Sequence, residues 1–328
     1  MRNLKQDWPN ELLLFLSRPW ILVIALIFIL APAARISDAL ESGAQFLKIG
    51  TDAKAVSMAS AYTAAANDIN SMTYNPAGLA YLKETQLGFS HVNWLLGGQH
   101  DFIGFGVPIN VSRATGPQVT PPSCFVLGLG IERLTHGSLQ SHGADRSAGG
   151  SYAAYDQAVS AVYAGKIGRT SAGIGVKYIE SSIAGQRASA VAVDLGLIRG
   201  VGRLPVSIGV SVQNLGTSMK YITQKDPLPL TLVAGMLLNI IPGFNLALDV
   251  KRLVYDKQTN VSFGMEYALL PMVSLRTGYL LDSPGPGAGL NAINAGAGIR
   301  FLSTQLDYAV TPCGGLGNAQ RITLKKKL

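Results

Sequence analysis

Val261-Ser262-Phe263-Gly264-Met265-Glu266-Tyr267-Ala268-Leu269 puts a large apolar side chain at every odd position and a small or charged one at every even position. Successive side chains of a β-strand point to opposite faces, so this period of two gives the segment one apolar face and one small or polar face. The same alternation runs through Phe244-Asn245-Leu246-Ala247-Leu248-Asp249-Val250, Val191-Ala192-Val193-Asp194-Leu195-Gly196-Leu197 and Leu306-Asp307-Tyr308-Ala309-Val310. In a soluble sandwich the apolar face would point inward. In a barrel set in lipid it would point outward and the small, polar face would line the lumen. The period alone does not choose between them.

Composition does. The chain is 48% hydrophobic and 14% charged over 328 residues, where a soluble domain carries about 25% charge. Mean hydropathy is +0.26. Beyond residue 34 no run approaches the roughly 18 apolar residues of a spanning helix. Glycine is scattered, 37 of 328 residues. These properties exclude a helical membrane bundle and a disordered chain, and they fit a soluble enzyme poorly. A transmembrane β-barrel spreads its apolar residues over alternate strand positions and meets every one of them.

Fourteen strand-like segments follow, near 86–93, 101–109, 124–132, 157–166, 172–179, 190–198, 205–213, 230–239, 244–252, 261–269, 272–280, 292–301, 304–311 and 320–328. From the fourth onward the connections alternate. Short ones are Gly168-Arg169-Thr170-Ser171, Ile241-Pro242-Gly243, Leu270-Pro271 and Leu302-Ser303; long ones surround Gly185 and run 214–229, 281–291 and 312–319. Tight turns at one end and longer loops at the other, on an even strand count, are the outer-membrane pattern. The stretch from Asn110 to Ser123 is long where a short turn is due. The fold expected is an all-β, 14-stranded antiparallel transmembrane barrel over residues 85–328 with an N-terminal helical plug in its lumen.

The N-terminal region is an address. Ile21 to Leu30 is an unbroken apolar run, preceded by Arg2, Lys5 and Arg18 and followed by Ala31, Ala33, Ala34 and Ser37-Asp38-Ala39. A basic region, a short apolar run and a small-residue exit make a secretory signal over residues 1–39, cut after Ala34 or Ala39. An uncleaved anchor from Leu12 to Ala34 is interrupted by Arg18 and Pro19. Export to the outer membrane of a Gram-negative-type bacterium is the expectation.

Residues 40–84 differ in kind, rich in Ala, Ser, Gly and Met, with a helix-like stretch from Ala53 to Ala66 and a second region at Asn67-Asp68. In Tyr74-Asn75-Pro76-Ala77-Gly78, Asn75 reads as a helix cap ahead of a first-turn proline. The segment is too short to hold a core alone, and its small residues suit close packing inside a narrow barrel. We expect a hatch, with Asn67, Asp68, Asn75, Pro76 and Gly78 at its turns. The inward face of the strands carries Glu132, Lys177, Asp194, Asp249, Glu266, Arg276, Arg300 and Asp307. Buried unpaired charge is costly, so mixed signs predict pairing across the lumen, or else a substrate pathway. Asp249 and Arg276 are one candidate couple.

Other chemistry is thin. His91, His100, His136 and His142 lack metal-ligand spacing, and no G-x-S-x-G nucleophile occurs, so neither a metal, a cofactor nor an enzymatic activity is expected. Cys124 and Cys313 match no zinc or redox spacing; isolated residues and a disulfide both remain open. Of the net charge of +8, Arg321, Lys325, Lys326 and Lys327 supply half at the C-terminal end. No basic stripe interleaved with aromatics points to nucleic acid.

Gln45-Phe46-Leu47-Lys48-Ile49-Gly50, Asp52-Ala53-Lys54-Ala55-Val56-Ser57-Met58, Ala61-Tyr62-Thr63-Ala64-Ala65-Ala66-Asn67-Asp68 and Tyr74-Asn75-Pro76-Ala77-Gly78-Leu79 together resemble the N-terminal signature of the PorV/PorQ family, within the FadL-like superfamily. The resemblance continues at Gln213-Asn214-Leu215-Gly216, Leu306-Asp307-Tyr308-Ala309 and Gly315-Leu316-Gly317-Asn318. Similarity to FadL implies a 14-stranded barrel closed by an N-terminal hatch. Similarity to PorV implies work with type IX secretion components, the barrel receiving cargo by its C-terminal domain. The alternatives are a FadL-like conduit for hydrophobic small molecules and a scaffold without transport. In each case the immediate partner is outer-membrane lipid.

Overall fold

The computed structural model describes residues 42–111, 123–142, 148–202, 204–281 and 293–328. The export signal, the first two residues of the expected hatch, the middle of the Asn110–Ser123 connection and most of the 281–291 loop lie outside these residues, as do the side chains of Cys124 and His142.

The alternating segments are strands. They comprise β1 (Gln86–Asn93), β2 (Gln99–Val111), β3 (Ser123–His142), β4 (Ala148–Ile167) and β5 (Thr170–Ile183). Next come β6 (Gln186–Gly200), β7 (Val206–Gly216), the short β8 (Met219–Tyr221) and β9 (Gln224–Asp226), then β10 (Thr231–Ile241) and β11 (Phe244–Leu253). The last are β12 (Gln258–Leu270), β13 (Val273–Leu281), β14 (Ile293–Phe301), β15 (Thr304–Pro312) and β16 (Asn318–Lys327). Fourteen of them pair antiparallel in chain order and close on themselves, β1 against β16; β8 and β9 form a separate hairpin between β7 and β10. The seam runs from Gln86 opposite Lys327 to Asn93 opposite Gln320. Closure leaves no unpaired edge, which hydrocarbon would not tolerate.

Large apolar side chains such as Leu129, Phe263, Leu275 and Ile322 stand exposed on the outer face, while their sequence neighbours Gly130, Ser262, Arg276 and Thr323 are buried inside. The outer surface is therefore apolar over the height of the wall, and it faces lipid. No helix among the described residues is long and apolar enough to cross a membrane.

The departures from expectation are local. β3 and β4 run 20 residues each, about 66 Å at the usual strand rise, well past a hydrocarbon core of about 30 Å. Above the lipid the outward positions no longer need to be apolar, so the hydropathy period fades while the ladder of hydrogen bonds continues. Around Gly185 there is no long loop: Ala184 (φ 50°) and Gly185 (φ 82°) make a two-residue turn between β5 and β6. Two successive positive φ values are what a tight hairpin requires.

Residues 42–84 cross the lumen from the loop end to the turn end. At the loop end the Ser42 hydroxyl donates to Asp256 at 2.8 Å, and Lys48 forms an ion pair with the same carboxylate. At the turn end the Ile69 N–H donates to Gln86 Oε1 at 2.8 Å. The expected helix over Ala53–Ala66 is one short α-helix, α1 (Ala53–Ser57). Ala59 and Ser60, at φ 53° and 62°, stop it. The left-handed pair turns the chain toward the wall at β11. Tyr74 is followed by a 3₁₀ turn over Pro76–Tyr81 with Pro76 in its first turn.

Glycine makes this passage possible. Going round the wall, Gly88 and Gly104 face Ile69, Gly128 faces Leu79 and Met72, and Gly173 faces the Pro76–Ala77 peptide. Gly209 faces Thr63 and Ala64, and Gly264 and Gly278 face Met58. A Cβ at any of these positions would collide with the hatch. The abundance of glycine, puzzling in strands that it weakens, is a girdle cut to admit a second chain.

Candidate functional site

The lumen is the candidate site, and three groups of side chains define it. The first ties the hatch to the wall through charge. In β16, Ile322 and Leu324 face lipid, so Arg321, Thr323 and Lys325 face inward. Lys325 Nζ lies 3.0 Å from Asp52 and 2.6 Å from Asp68, both in the hatch, and 3.7 Å from Asp307 on β15. Asp68 also accepts from the Tyr62 hydroxyl at 2.9 Å and from the Asn70 N–H at 3.1 Å. Burial alone would raise the Asp68 carboxyl; the Lys325 and Lys54 ammonium groups outweigh it and hold it at about 2. Asp52 is raised, because burial outweighs its share of the same ammonium.

The network continues along the wall. Glu266 and Arg276 are cross-strand neighbours on β12 and β13, with Arg276 Nε 2.6 Å from Glu266 Oε2. Arg276 Nη1 reaches Asp307 at 2.8 Å. That contact spans β14, and it exists because Gly298 lies between: a Cβ there would meet both the Asp307 carboxylate and the Arg276 guanidinium. Gly298→Val should therefore overpack the crossing and lower stability by about 1–3 kcal/mol, read as a shift in urea midpoint in detergent. An unshifted midpoint would mean that the crossing carries no energy.

Asp249 does not meet Arg276; β12 separates their strands. Its carboxylate instead accepts from the Tyr62 and Thr63 N–H groups at 3.0 and 2.9 Å, where the left-handed turn has delivered them. Asn75 serves the opposite side. Its Oδ1 caps the Ala77 N–H at 3.1 Å, while Nδ2 donates to the Thr63 carbonyl at 2.8 Å and to Leu197 of β6 at 3.3 Å. Gly78 has no room for a side chain beside Ala66 and Ser71. Asn67 is exposed and accepts from Lys54 at 3.0 Å.

The second group is a separate cluster nearer the loops. Lys177 lies 2.7 Å from Asp194 and donates to Asn214 Oδ1 at 3.2 Å, and the Asn214 N–H donates to Asp194 at 2.7 Å. Glu132 is buried on β3, one strand beyond β4. Arg300 joins neither cluster. It is exposed at the turn-end rim, with Gln305 as its hydrogen-bond partner at 3.2 Å.

The third group is apolar and was not visible as a site in the sequence. Under the loops, Phe46 of the hatch packs with Leu134, Ile179, Met219 and Leu228, flanked by Trp94 and Tyr221. The β8–β9 hairpin closes over it, tied to the hatch by the Gly43 N–H donating to the Pro227 carbonyl at 2.8 Å. His100 is wholly buried beside Phe46, with their rings edge to face at 6.3 Å. On the outer wall, Met236, Leu238, Leu246, Leu248, Phe263 and Tyr279 line an apolar cavity of about 500 Å³ whose floor includes Gly264 and Gly278. Met58 presses on the inner side of those same two glycines. No cluster of His, Cys, Asp and Glu able to hold a metal ion occurs among the described residues.

No protein-family model matches the chain, and no curated protein matches it. Solved structures do. The TodX monoaromatic hydrocarbon channel, in a deltaS2S3 mutant, aligns with a TM-score of 0.51 at 12% identity over 80% of this chain and 95% of that one. A FadL homologue of Pseudomonas aeruginosa aligns with a TM-score of 0.49 at 10% identity, over 84% and 97%. The toluene transporter TbuX of Ralstonia pickettii gives 0.49 at 14% identity, over 80% and 94%. At such identities the likeness is one of fold: this chain folds as the TodX channel does, in a closed barrel of the outer-membrane kind.

Proposed function

We propose that the protein is an outer-membrane conduit for small hydrophobic molecules. The observation that carries this reading is the apolar cluster packed under the loops, an oily patch in a lumen otherwise lined by charge and small residues. The fold shared with a hydrocarbon channel supports it. Below this cluster the hatch and its ion pairs block the axis, and an apolar molecule would lose by entering them. The wall at Gly264 and Gly278, with an apolar cavity on its lipid side, offers the cheaper exit. In this reading residues 1–39 direct export, 40–84 form the hatch and 85–328 the barrel, and the lumen charges hold the hatch in place. Nothing in the fold or the comparisons favours the type IX role that the PorV resemblance implied, and it is not proposed.

The test uses intact cells, whose lipopolysaccharide layer slows apolar solutes. Expression should raise uptake of radiolabelled toluene several-fold. Leu134→Glu, with a charge set in the apolar cluster, should remove the gain while the barrel keeps its heat-modifiable gel mobility. Uptake that expression does not change would reject the conduit.

A further inference from the structure

The short-turn end of the barrel combines two features; exposed apolar tips occur at the loop end too, at Leu96, Ile222 and Leu316, but there they stand among charges of both signs. One is apolar residues at the tips of the turns: Ile167, Ile241, Leu270, Met272, Phe301 and Leu302 are all more than half exposed. Leu302 is 85% exposed and sits at φ 52°, where glycine or asparagine would be free of strain. A bulky aliphatic group held there at a cost, in a turn of two residues, has water as its worst neighbour. The other feature is charge of one sign. Arg199 and Lys326 face outward at this end and Arg169 stands in a turn, while Lys166, Arg300 and Lys327 are exposed around the mouth of the lumen; among the described residues Glu84, 3.5 Å from Lys327, is its one exposed acid. At the loop end the exposed and half-exposed charges are mixed, with Asp101, Glu180 and Asp226 beside Arg133, Arg187 and Lys225.

We propose that this rim is a binding surface for anionic phospholipid, set within the headgroup layer rather than above it. Two-residue turns cannot lift their tips clear of the apolar belt, so the tips lie where acyl chains meet headgroups. Aliphatic and aromatic side chains insert at that depth, and basic side chains reach past them to phosphate. An excess of lysine and arginine selects lipids with net negative charge over zwitterionic ones. The surface is distinct from the lumen and stands whether or not the barrel conducts.

Leu302→Trp tests it, with the full protein in bilayers that contain lipid brominated close to the headgroup. The fluorescence lost by the variant in excess of the parent protein is the signal, which subtracts any quenching of the native Trp8, Trp20 and Trp94. Brominated phosphatidylglycerol should quench this signal at least about threefold more than brominated phosphatidylcholine at equal mole fraction. Adding Arg199→Gln and Lys326→Gln should shrink that excess, and so should high salt. Met272→Trp gives a second reporter should Leu302→Trp fail to assemble. Equal quenching by the two lipids would reduce the rim to ordinary hydrocarbon contact and overturn the proposal. No excess quenching by either would place the rim in water or against another protein, and would overturn it as well.

Discussion

Lys325→Met should loosen the hatch and destabilise the whole barrel by about 3–5 kcal/mol, the range for removing one partner from a buried ion pair. Methionine matches the length of the stem, so little packing is lost and the effect is electrostatic. Asp52, Asp68 and Asp307 would then share no ammonium at 3.0, 2.6 and 3.7 Å. Stranded carboxylates must take up protons or draw in water, and either costs free energy. The measurement is the urea midpoint in detergent together with protease cutting between residues 42 and 84, which the folded barrel should resist and the variant should not. Adding Asp52→Asn to Lys325→Met should recover part of the loss, because the two changes act on one network and are not additive. A single variant as stable and as resistant as the parent would show that the ammonium is not the fastener.

Deletion of residues 40–84 should leave a barrel that assembles but conducts ions. Every strand keeps its two neighbours, so the hydrogen-bonded wall survives. The glycine girdle, Asp249, Arg321 and Lys325 would face an empty bore, and water would fill it. Planar-bilayer recordings should show open-channel steps several-fold larger than those of the intact protein. Unchanged conductance, or fast reaction of a cysteine at Ala77 with a bulky thiol reagent in the intact protein, would mean that the segment does not block the bore.

What the sequence made legible follows from which forces act at each residue. Each barrel strand was visible because lipid on one side and a packed lumen on the other impose a period of two on every segment. The ends of β3 and β4 were not, since beyond the lipid that pressure lapses. Hatch composition betrayed its presence, but not its path, which depends on two left-handed residues, Ala59 and Ser60, that carry no special sequence mark. Glu266 and Arg276 could be read as inward charges, and their direct pairing needed only the strand register. The period turns Arg300 to the inner side of its strand, but at the turn-end rim that side meets solvent, and Arg300 joins no charge cluster. Lys325 was overlooked as one of a run of basic residues at the end of the chain. The alternation of Ile322 and Leu324 carried the missing signal, for it turns Lys325 to the inside. The apolar cluster under the loops drew on Phe46, Leu134, Met219 and Leu228, distant in sequence and joined by the closure of the barrel.

The placement of Arg321, Thr323 and Lys325 has a consequence for how the molecule is made. All three lie on β16, the strand that closes the ring against β1, and all three hold the hatch: Arg321 Nε donates to the Gly50 carbonyl at 2.9 Å, and Thr323 Oγ1 accepts from the Ala53 N–H at 2.9 Å. A finished ring could be threaded only by pushing more than forty residues through a bore already lined with their partners. The strands must instead curl around a segment that emerged before them, and the final strand finds its alignment by reading that segment on one face and β1 and β15 on its edges. Sealing the ring and seating its contents are then one cooperative event. A chain whose hatch is present but misplaced would obstruct the last strand and stall as an open, curved sheet, whereas a chain without it can still close on the β1–β16 ladder.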